Sequence, residues 1–317
     1  MILPQLTTLV ERYLAVRAAL GFTTRAAQPL LHEFLAFLAT QPPLTALPAH
    51  VAFAWACGDA APRALTSRAT RLRVVRGFLI YAKASLPAVD VPEPGLLAHR
   101  RRSTPYLFTP DELTRLLTAA AHLPSQSGWA AVLYPTLLGL MVSSGLRIGE
   151  ALRLHRHDVN LGAELPSLHI RATKFRKSRL VPLHPTAVVR LQDYANLRQR
   201  FLRARGVPTF VVSARGTPLG YDAIQATFQR LVEQLALSSR PGQRRPTLHS
   251  LRHTFAVQRV LTWARQGLPV QDWIPHLAVY LGHRRPEDTY WYLTATPDLL
   301  ATAADAFQRY AETGGGQ

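Results

Sequence analysis

Six polar residues in a fixed order constrain this chain more than any other feature: Arg147, Lys174, His249, Arg252, His283 and Tyr292. Arginine, lysine and histidine bind anions, and two of the three also carry protons near neutral pH. A tyrosine is a candidate nucleophile. Together the six suit attack on a phosphodiester without a metal. For them to act together, the fold must gather segments that lie far apart in sequence. The strings that hold them are Ser144-Gly-Leu-Arg-Ile-Gly-Glu150, Thr173-Lys-Phe-Arg-Lys-Ser178, His249-Ser-Leu-Arg-His253, Leu281-Gly-His283 and Thr289-Tyr-Trp-Tyr292.

Each residue has a local physical reading. Arg147 follows Gly145 at a helix entrance, where its planar fork and nearby amides can meet phosphate oxygens. Glu150, one turn on, reads first as its salt-bridge partner. His249 and Arg252 are three apart and share a helix face, with Leu248, Leu251 and Phe255 packing opposite. His253 points elsewhere and reads as a structural hydrogen-bonder. Leu281-Gly282-His283 reads as a helix end with its glycine cap. Tyr290 and Tyr292 point about 200° apart on a helix, so one of them faces the chemistry. A phenol of reference pKa about 10 needs a strongly positive site to attack.

The charge is in keeping with a polyanionic partner. The chain carries a formal net charge of +18 with a pI near 11.1. Of its 37 basic residues, three are lysines (Lys83, Lys174 and Lys177) and the rest arginines. Lysine can give up a proton when its pKa is lowered and arginine cannot. Two lysines within four residues therefore suggest proton transfer at Lys174, with Lys177 as the alternative. A single cysteine, Cys57, excludes an intrachain disulfide and fits a reducing cytoplasm. The N-terminal Met-Ile-Leu-Pro-Gln lacks the pattern of a signal peptide. The apolar stretch Trp129 to Val142 is too short and interrupted to span a bilayer, so no membrane is expected. His155 and His157 lack the spacing and acidic or cysteine partners of a zinc site, and no phosphate-binding glycine loop is present. Neither metal nor cofactor is expected.

Two units are expected. Residues 1–97 read as a helical N-terminal domain, with Leu9, Tyr13, Val16, Leu20 and then Leu30, Phe34, Phe37, Leu38 at helical spacing. A fourth helix, about 66–83, presents Leu72, Val75 and Leu79 on its apolar face. Its arginines Arg68, Arg71, Arg73 and Arg76, with no acid among them, read as phosphate contacts. A Pro- and Gly-punctuated basic linker, 98–107, follows with Arg100, Arg101 and Arg102. Residues 108–317 form the second, mainly helical unit, opening at Thr109-Pro-Asp-Glu112 with a capping-box pattern. Two strands, 168–172 and 179–183, are joined by a basic turn, with a third expected at 209–212. Helices are expected at about 185–204, 221–236, 249–265, 271–281, 287–293 and 298–311. The last is amphipathic through Leu299, Leu300, Ala304, Phe307 and Tyr310. The Gly314-Gly-Gly316 tail reads as disordered. Net charge is +4 over 1–97, +3 over the linker and +11 over 108–317, so positive charge lies on both units.

These motifs resemble the tyrosine recombinases, the phage integrase family, in a Xer- and transposon-integrase-like form. The resemblance implies a mainly α fold with a small β-sheet in the catalytic domain: a two-lobed DNA clamp, with a helical core-binding (SAM-like) domain ahead of the catalytic domain. It implies that Arg147 and Arg252 clamp the scissile phosphate, His249 does acid/base work, His283 binds the phosphate nine residues before the nucleophile, and Tyr292 attacks. Aligning back from Arg179-Leu-Val-Pro-Leu183 puts Lys174 where the family's lysine protonates the leaving 5′ oxygen. The turn departs from the family in lacking glycines and carrying Phe175 and Arg176. Arg176 and Lys177 join the candidate DNA contacts. The implied activity is site-specific strand exchange on double-stranded DNA through a 3′-phosphotyrosine, for integration, excision or resolution. The implied assembly is a homotetramer that exchanges the 298–311 helix between protomers, with a second recombinase or a DNA-bending protein as further partners. A nicking–closing enzyme like the type IB topoisomerases and an inactive DNA-binding protein are the alternatives.

Overall fold

The computed structural model describes residues 1–58, 65–97, 104–171, 178–202, 206–238, 244–283, 285 and 287–294, with backbone alone at 65–66 and 291–294. The chain divides into two compact units, Met1–Arg102 and Ser103–Gln317.

In the first unit, four helices bury one core: α1 (Leu3–Ala19), α2 (Ala27–Ala39), α3 (Ala49–Cys57) and α4 (Leu65–Lys83). Leu72, Val75 and Leu79 of α4 are buried as read, as are Phe34 and Leu38 of α2. The inward face of α1 differs from expectation. Leu6, Val10 and Leu14 are buried, Leu9 and Tyr13 flank the core, and Leu20 is 69% exposed. Apolar residues lie on more than one side of α1, and packing against α2 and α4 selects the stripe.

Arg71 also departs from the reading. It is buried, 5% exposed, unlike the exposed Arg73 of the same helix. It donates to both oxygens of Glu33 (2.8 and 2.7 Å) and lies 3.8 Å from the centre of the Trp55 ring. A permanent cation is tolerated there because a carboxylate and an aromatic face replace its water.

The second unit begins as the sequence predicts. Thr109 and Glu112 form a reciprocal capping box on α5 (Pro110–Ala121). Helix α6 (Trp129–Ser144) runs through the interior between two left-handed glycines, Gly128 and Gly145. A short helix, α7 (Ile148–Arg153), and a 3-10 turn, Arg156–Asp158, lead into the sheet. The sheet has three antiparallel strands in sequence order: β1 (Val159–Asn160), β2 (Ser167–Ile170) and β3 (Arg179–Pro182), with Ile170 opposite Arg179. The third strand is therefore 159–160, not 209–212. Phe210, Val211 and Val212 are all buried, without the alternation of a sheet strand. Their segment is held by Phe210 N–H to the Leu154 carbonyl (2.7 Å) and by Tyr194 and Arg198 at the Phe210 carbonyl. Helices α8 (Pro185–Leu202), α9 (Tyr221–Gln234), α10 (Leu248–Arg265), α11 (Val270–Leu281) and α12 (Glu287–Thr294) start and end within two residues of expectation. The fold is mainly helical with a small sheet, as anticipated. No helix of the described residues is long and apolar enough to cross a membrane. The expected 298–311 helix lies outside the described residues.

Candidate active site at the end of helix α11

Four of the six marked side chains are described, and the fold gathers them at one helix end. α11 stops at Gly282, whose φ of +67° is the left-handed cap anticipated from the sequence. The last carbonyls of a helix lack internal partners and carry partial negative charge. Arginines from three other elements occupy them. Arg179 Nε donates to the Tyr280 carbonyl (2.7 Å), Arg252 Nη2 to Leu281 (2.6 Å), and Arg147 Nη2 to Gly282 (3.1 Å).

Arg252 also donates through Nη1 to the Gly145 carbonyl (2.8 Å), the C-cap of α6, and is 0% exposed. One guanidinium thus bridges two helix ends. Gly145 sits at φ +62°, and a Cβ there would lie 2.5 Å from the Phe255 ring. Only glycine suits both that conformation and that space. The backbone turns directly from Gly145 into Arg147, the residue before α7.

Glu150 joins the arginines. It is 3% exposed at its side chain and accepts from Arg147 Nη1 (3.0 Å), Arg179 Nη1 (3.1 Å) and Arg179 Nη2 (2.9 Å). It also accepts from the Arg147 backbone N–H (3.0 Å). Burial works to raise its pKa, but the hydrogen bonds and charge of Arg179, followed by those of Arg147, outweigh it and hold the carboxyl at about 2. Two cations face one anion here, so the cluster keeps an excess positive charge.

The histidines sit in that field. On α10, Leu248, Leu251 and Phe255 are buried as read, and Thr247 caps the helix through Ser250. Burial, with the Arg252 and Arg147 charges, lowers His249 to about 4, although the residue as a whole is exposed. His253 stands edge-on to His249 at 4.4 Å between ring centres, and burial followed by the His249 and Arg252 charges lowers it to about 3. Burial and the same two arginines lower His283 to about 3. Its Nδ1 shares a 2.6 Å hydrogen bond with Oγ1 of the fully buried Thr289 on α12. All three imidazoles are neutral near pH 7 and able to take a proton.

Position 292 lies on α12, one helical turn after Thr289, while Tyr290 is 40% exposed. Lys174, Arg176 and Lys177 lie outside the described residues, as do Arg100, Arg101 and Arg102. On α4, Arg73 is exposed and Arg68 and Arg76 are half-buried, Arg76 donating to the Pro92 carbonyl (2.8 Å). His155 and His157 do have an acidic neighbour, Asp158, which the sequence reading did not count. Its oxygens already accept from Arg171 and from the His155 backbone N–H. Arg179 carries no catalytic motif in the sequence. Its ties to Glu150 and Tyr280, 29 and 101 residues away, leave no local signal.

The phage integrase family profile matches residues 107–298. The chain belongs to the phage integrase family. It is 37% identical over 311 residues to the integrase/recombinase y4rB of Sinorhizobium fredii (strain NBRC 101917 / NGR234), covering 95% of this chain and 96% of that one. Its fold resembles that of lambda integrase in a dimer bound to a COC′ core site, with a TM-score of 0.66 at 18% identity, covering 92% and 96% of the two chains. It equally resembles the Tn1549 transposon integrase in complex with transposon right end DNA, with a TM-score of 0.66 at 15% identity, covering 96% and 99%. As a member of this family the protein is a tyrosine recombinase, and the nicking–closing alternative is not favoured.

Within such an enzyme, Arg71 differs from its helix neighbours. Arg71→Met is expected to lower stability by about 2 kcal/mol, the usual scale for a charge-assisted hydrogen bond at a partly solvated carboxylate. Thermal melting reads this. The salt dependence of DNA binding should be unchanged, and a slope reduced by about one unit would put Arg71 on a phosphate instead.

Proposed function

We propose that this recombinase cuts DNA through Tyr292, with Arg147, Arg252 and His283 on the scissile phosphate. Tyr292 Oη forms a bond to phosphorus as the P–O5′ bond breaks. The phenolic proton passes to His249, and O5′ leaves with a proton from Lys174. The product is a 3′-phosphotyrosine and a free 5′ hydroxyl. Because one phosphoester replaces another, bond energy is conserved. A 5′ hydroxyl from a partner strand then reverses the step and rejoins the DNA.

The observation that carries this reading is the gathering of two arginines and two neutral histidines at the end of α11. The guanidiniums supply fixed donors and charge for a phosphorane-like transition state. Burial, with the two arginine charges, keeps His249 unprotonated and so available as a base. A phosphate anion entering the site partly offsets those charges, moving the histidines back toward their ordinary range, where proton exchange is easiest.

We further propose that the protein acts on two recombination sites as a tetramer, with residues 298–311 docking on a neighbouring protomer. Each unit carries excess positive charge, which suits each to contact duplex DNA. A lambda integrase structure is described as a tetramer bound to a Holliday junction, in keeping with that assembly.

The test is a suicide-substrate assay. Nicked DNA from the ends of the protein's own genetic element is incubated with it in EDTA, and a denaturing gel should show a covalent band mapping to Tyr292. Tight binding with no band would defeat the reading. Lys174→Arg is expected to slow band formation at least 100-fold with binding nearly unchanged, since arginine keeps the charge but cannot release the proton. The same loss in Lys177→Arg alone would move the acid to Lys177.

A further inference from the structure

We infer that Arg179 is a positioning residue for DNA cleavage, fixing Arg147 and the His283-bearing end of α11 in one arrangement; this rests on the cleavage reading above. Three features converge on it. Its side chain, 10% exposed, uses Nε on the Tyr280 carbonyl and both Nη atoms on Glu150. One planar fork therefore ties β3, α7 and the last turn of α11 into a single unit. The neighbouring carbonyls, Leu281 and Gly282, are the ones that Arg252 and Arg147 hold. Displacing Tyr280 thus displaces the partners of both phosphate-clamping arginines.

The fit is close. A Cβ at Gly282 would stand 2.8 Å from Arg179 Nη1, so the chain passes directly against the guanidinium on its way to His283. Arg179 also opens β3, two residues after the 172–177 segment that carries Lys174.

Charge reinforces the geometry. Glu150 Oε1 accepts from Arg147 and Arg179 at similar distances, 3.0 and 3.1 Å. Arg179 keeps Glu150 ionised, so Glu150 can aim Arg147 without cancelling it. The phosphate then meets an oriented cation. Arg179 has all three guanidinium nitrogens on Tyr280 and Glu150, whereas the Arg147 side chain is 38% exposed, which separates their roles.

The experiment uses the full chain and nicked DNA, with binding and single-turnover cleavage measured on Arg179→Met, Arg179→Lys, Gly282→Ala and the Arg179→Met/Glu150→Gln pair. The Arg179→Met protein should bind DNA within about threefold of wild type and cleave about 100-fold slower, the scale of a small misplacement of reacting groups. Arg179→Lys should recover part of the loss, because lysine keeps the charge but not the fork. The double variant should cleave no more slowly than Arg179→Met, since both changes break one unit.

The pH profile separates positioning from general destabilisation. Burial raises the Glu150 carboxyl once Arg179 is gone, so Arg179→Met should gain an acid limb in cleavage in addition to the histidine limb it shares with wild type. Arg147, just before α7, is the other charged group bonded to Glu150, while His249 and His283 titrate in both proteins. The double variant, with no carboxylate, should lose the added limb. If Arg179→Met fails to fold, Arg179→Lys tests the same contact and should slow cleavage with binding kept; Gly282→Ala, which both presses on the guanidinium and strains the left-handed cap, should do the same. Wild-type cleavage rates in a folded Arg179→Met protein, or a loss explained by binding alone, would overturn the inference. Absence of any covalent band with the wild-type protein would instead overturn the cleavage reading on which it rests.

Discussion

Tyr292→Phe is expected to remove covalent adduct entirely while DNA binding stays within about twofold. The substitution deletes one oxygen and keeps the ring. Loss of a nucleophile that acts with a set of partners costs on the order of a millionfold, which is below detection on a denaturing gel. Tyr290→Phe is the matched control. Position 290 is turned about 200° from 292 on α12, and Tyr290 is 40% exposed. Thr289, one turn before 292, is fully buried and shares a hydrogen bond with His283. The control should therefore form adduct at the wild-type rate. An adduct that persists in Tyr292→Phe and vanishes in Tyr290→Phe would exchange the two assignments.

The difference between what was legible in the sequence and what was not follows the range of the interactions. Thr109 and Glu112 specify their own cap within four residues, and the structure holds it. Gly282 announces its left-handed conformation by being glycine at the end of an apolar helix. Arg147, His249, Arg252 and His283 were marked by short strings, and the fold brings them together. In α1 the apolar residues form more than one stripe, so spacing alone could not choose Leu6, Val10 and Leu14 over their neighbours. The two-residue strand Val159–Asn160 is too short to have a period. The buried run Phe210–Val212 looks like a strand because buried irregular segments and buried strands share composition. Arg71 and Arg179 were misread or passed over for one reason. An arginine looks the same in sequence whether it meets solvent, phosphate or a distant carboxylate, and Glu33 and Glu150 lie 38 and 29 residues away.

Glu150→Gln is expected to weaken both the fold and the chemistry, with an identifiable pH signature. The carboxyl is held at about 2 against an ordinary 4.5. At about 1.4 kcal/mol per pKa unit, that difference is worth about 3 kcal/mol at neutral pH. It also matches the range of about 3–5 kcal/mol for removing one partner of a buried ion pair. The folded pKa is depressed, so this stability is fully present above the unfolded value. It is lost as pH falls through the interval from about 4.5 to 2. Urea unfolding across that interval should show wild type losing stability more steeply than Glu150→Gln, with the two curves converging near pH 2 as the wild-type carboxylate also becomes neutral. Curves that stay parallel would mean that Glu150 is not held ionised by the arginines. At neutral pH the glutamine amide can accept one hydrogen bond but carries no charge to offset Arg147 and Arg179. The two guanidiniums then repel across a gap that Glu150 had bridged. Cleavage at a temperature where the variant is still folded should fall about 100-fold for the same reason that misplaced groups fail. DNA binding should hold, because removing an anion leaves the site more positive, and a phosphate is attracted to it at least as strongly. Tighter binding with slower cutting is the pattern expected when orientation, rather than attraction, has been lost.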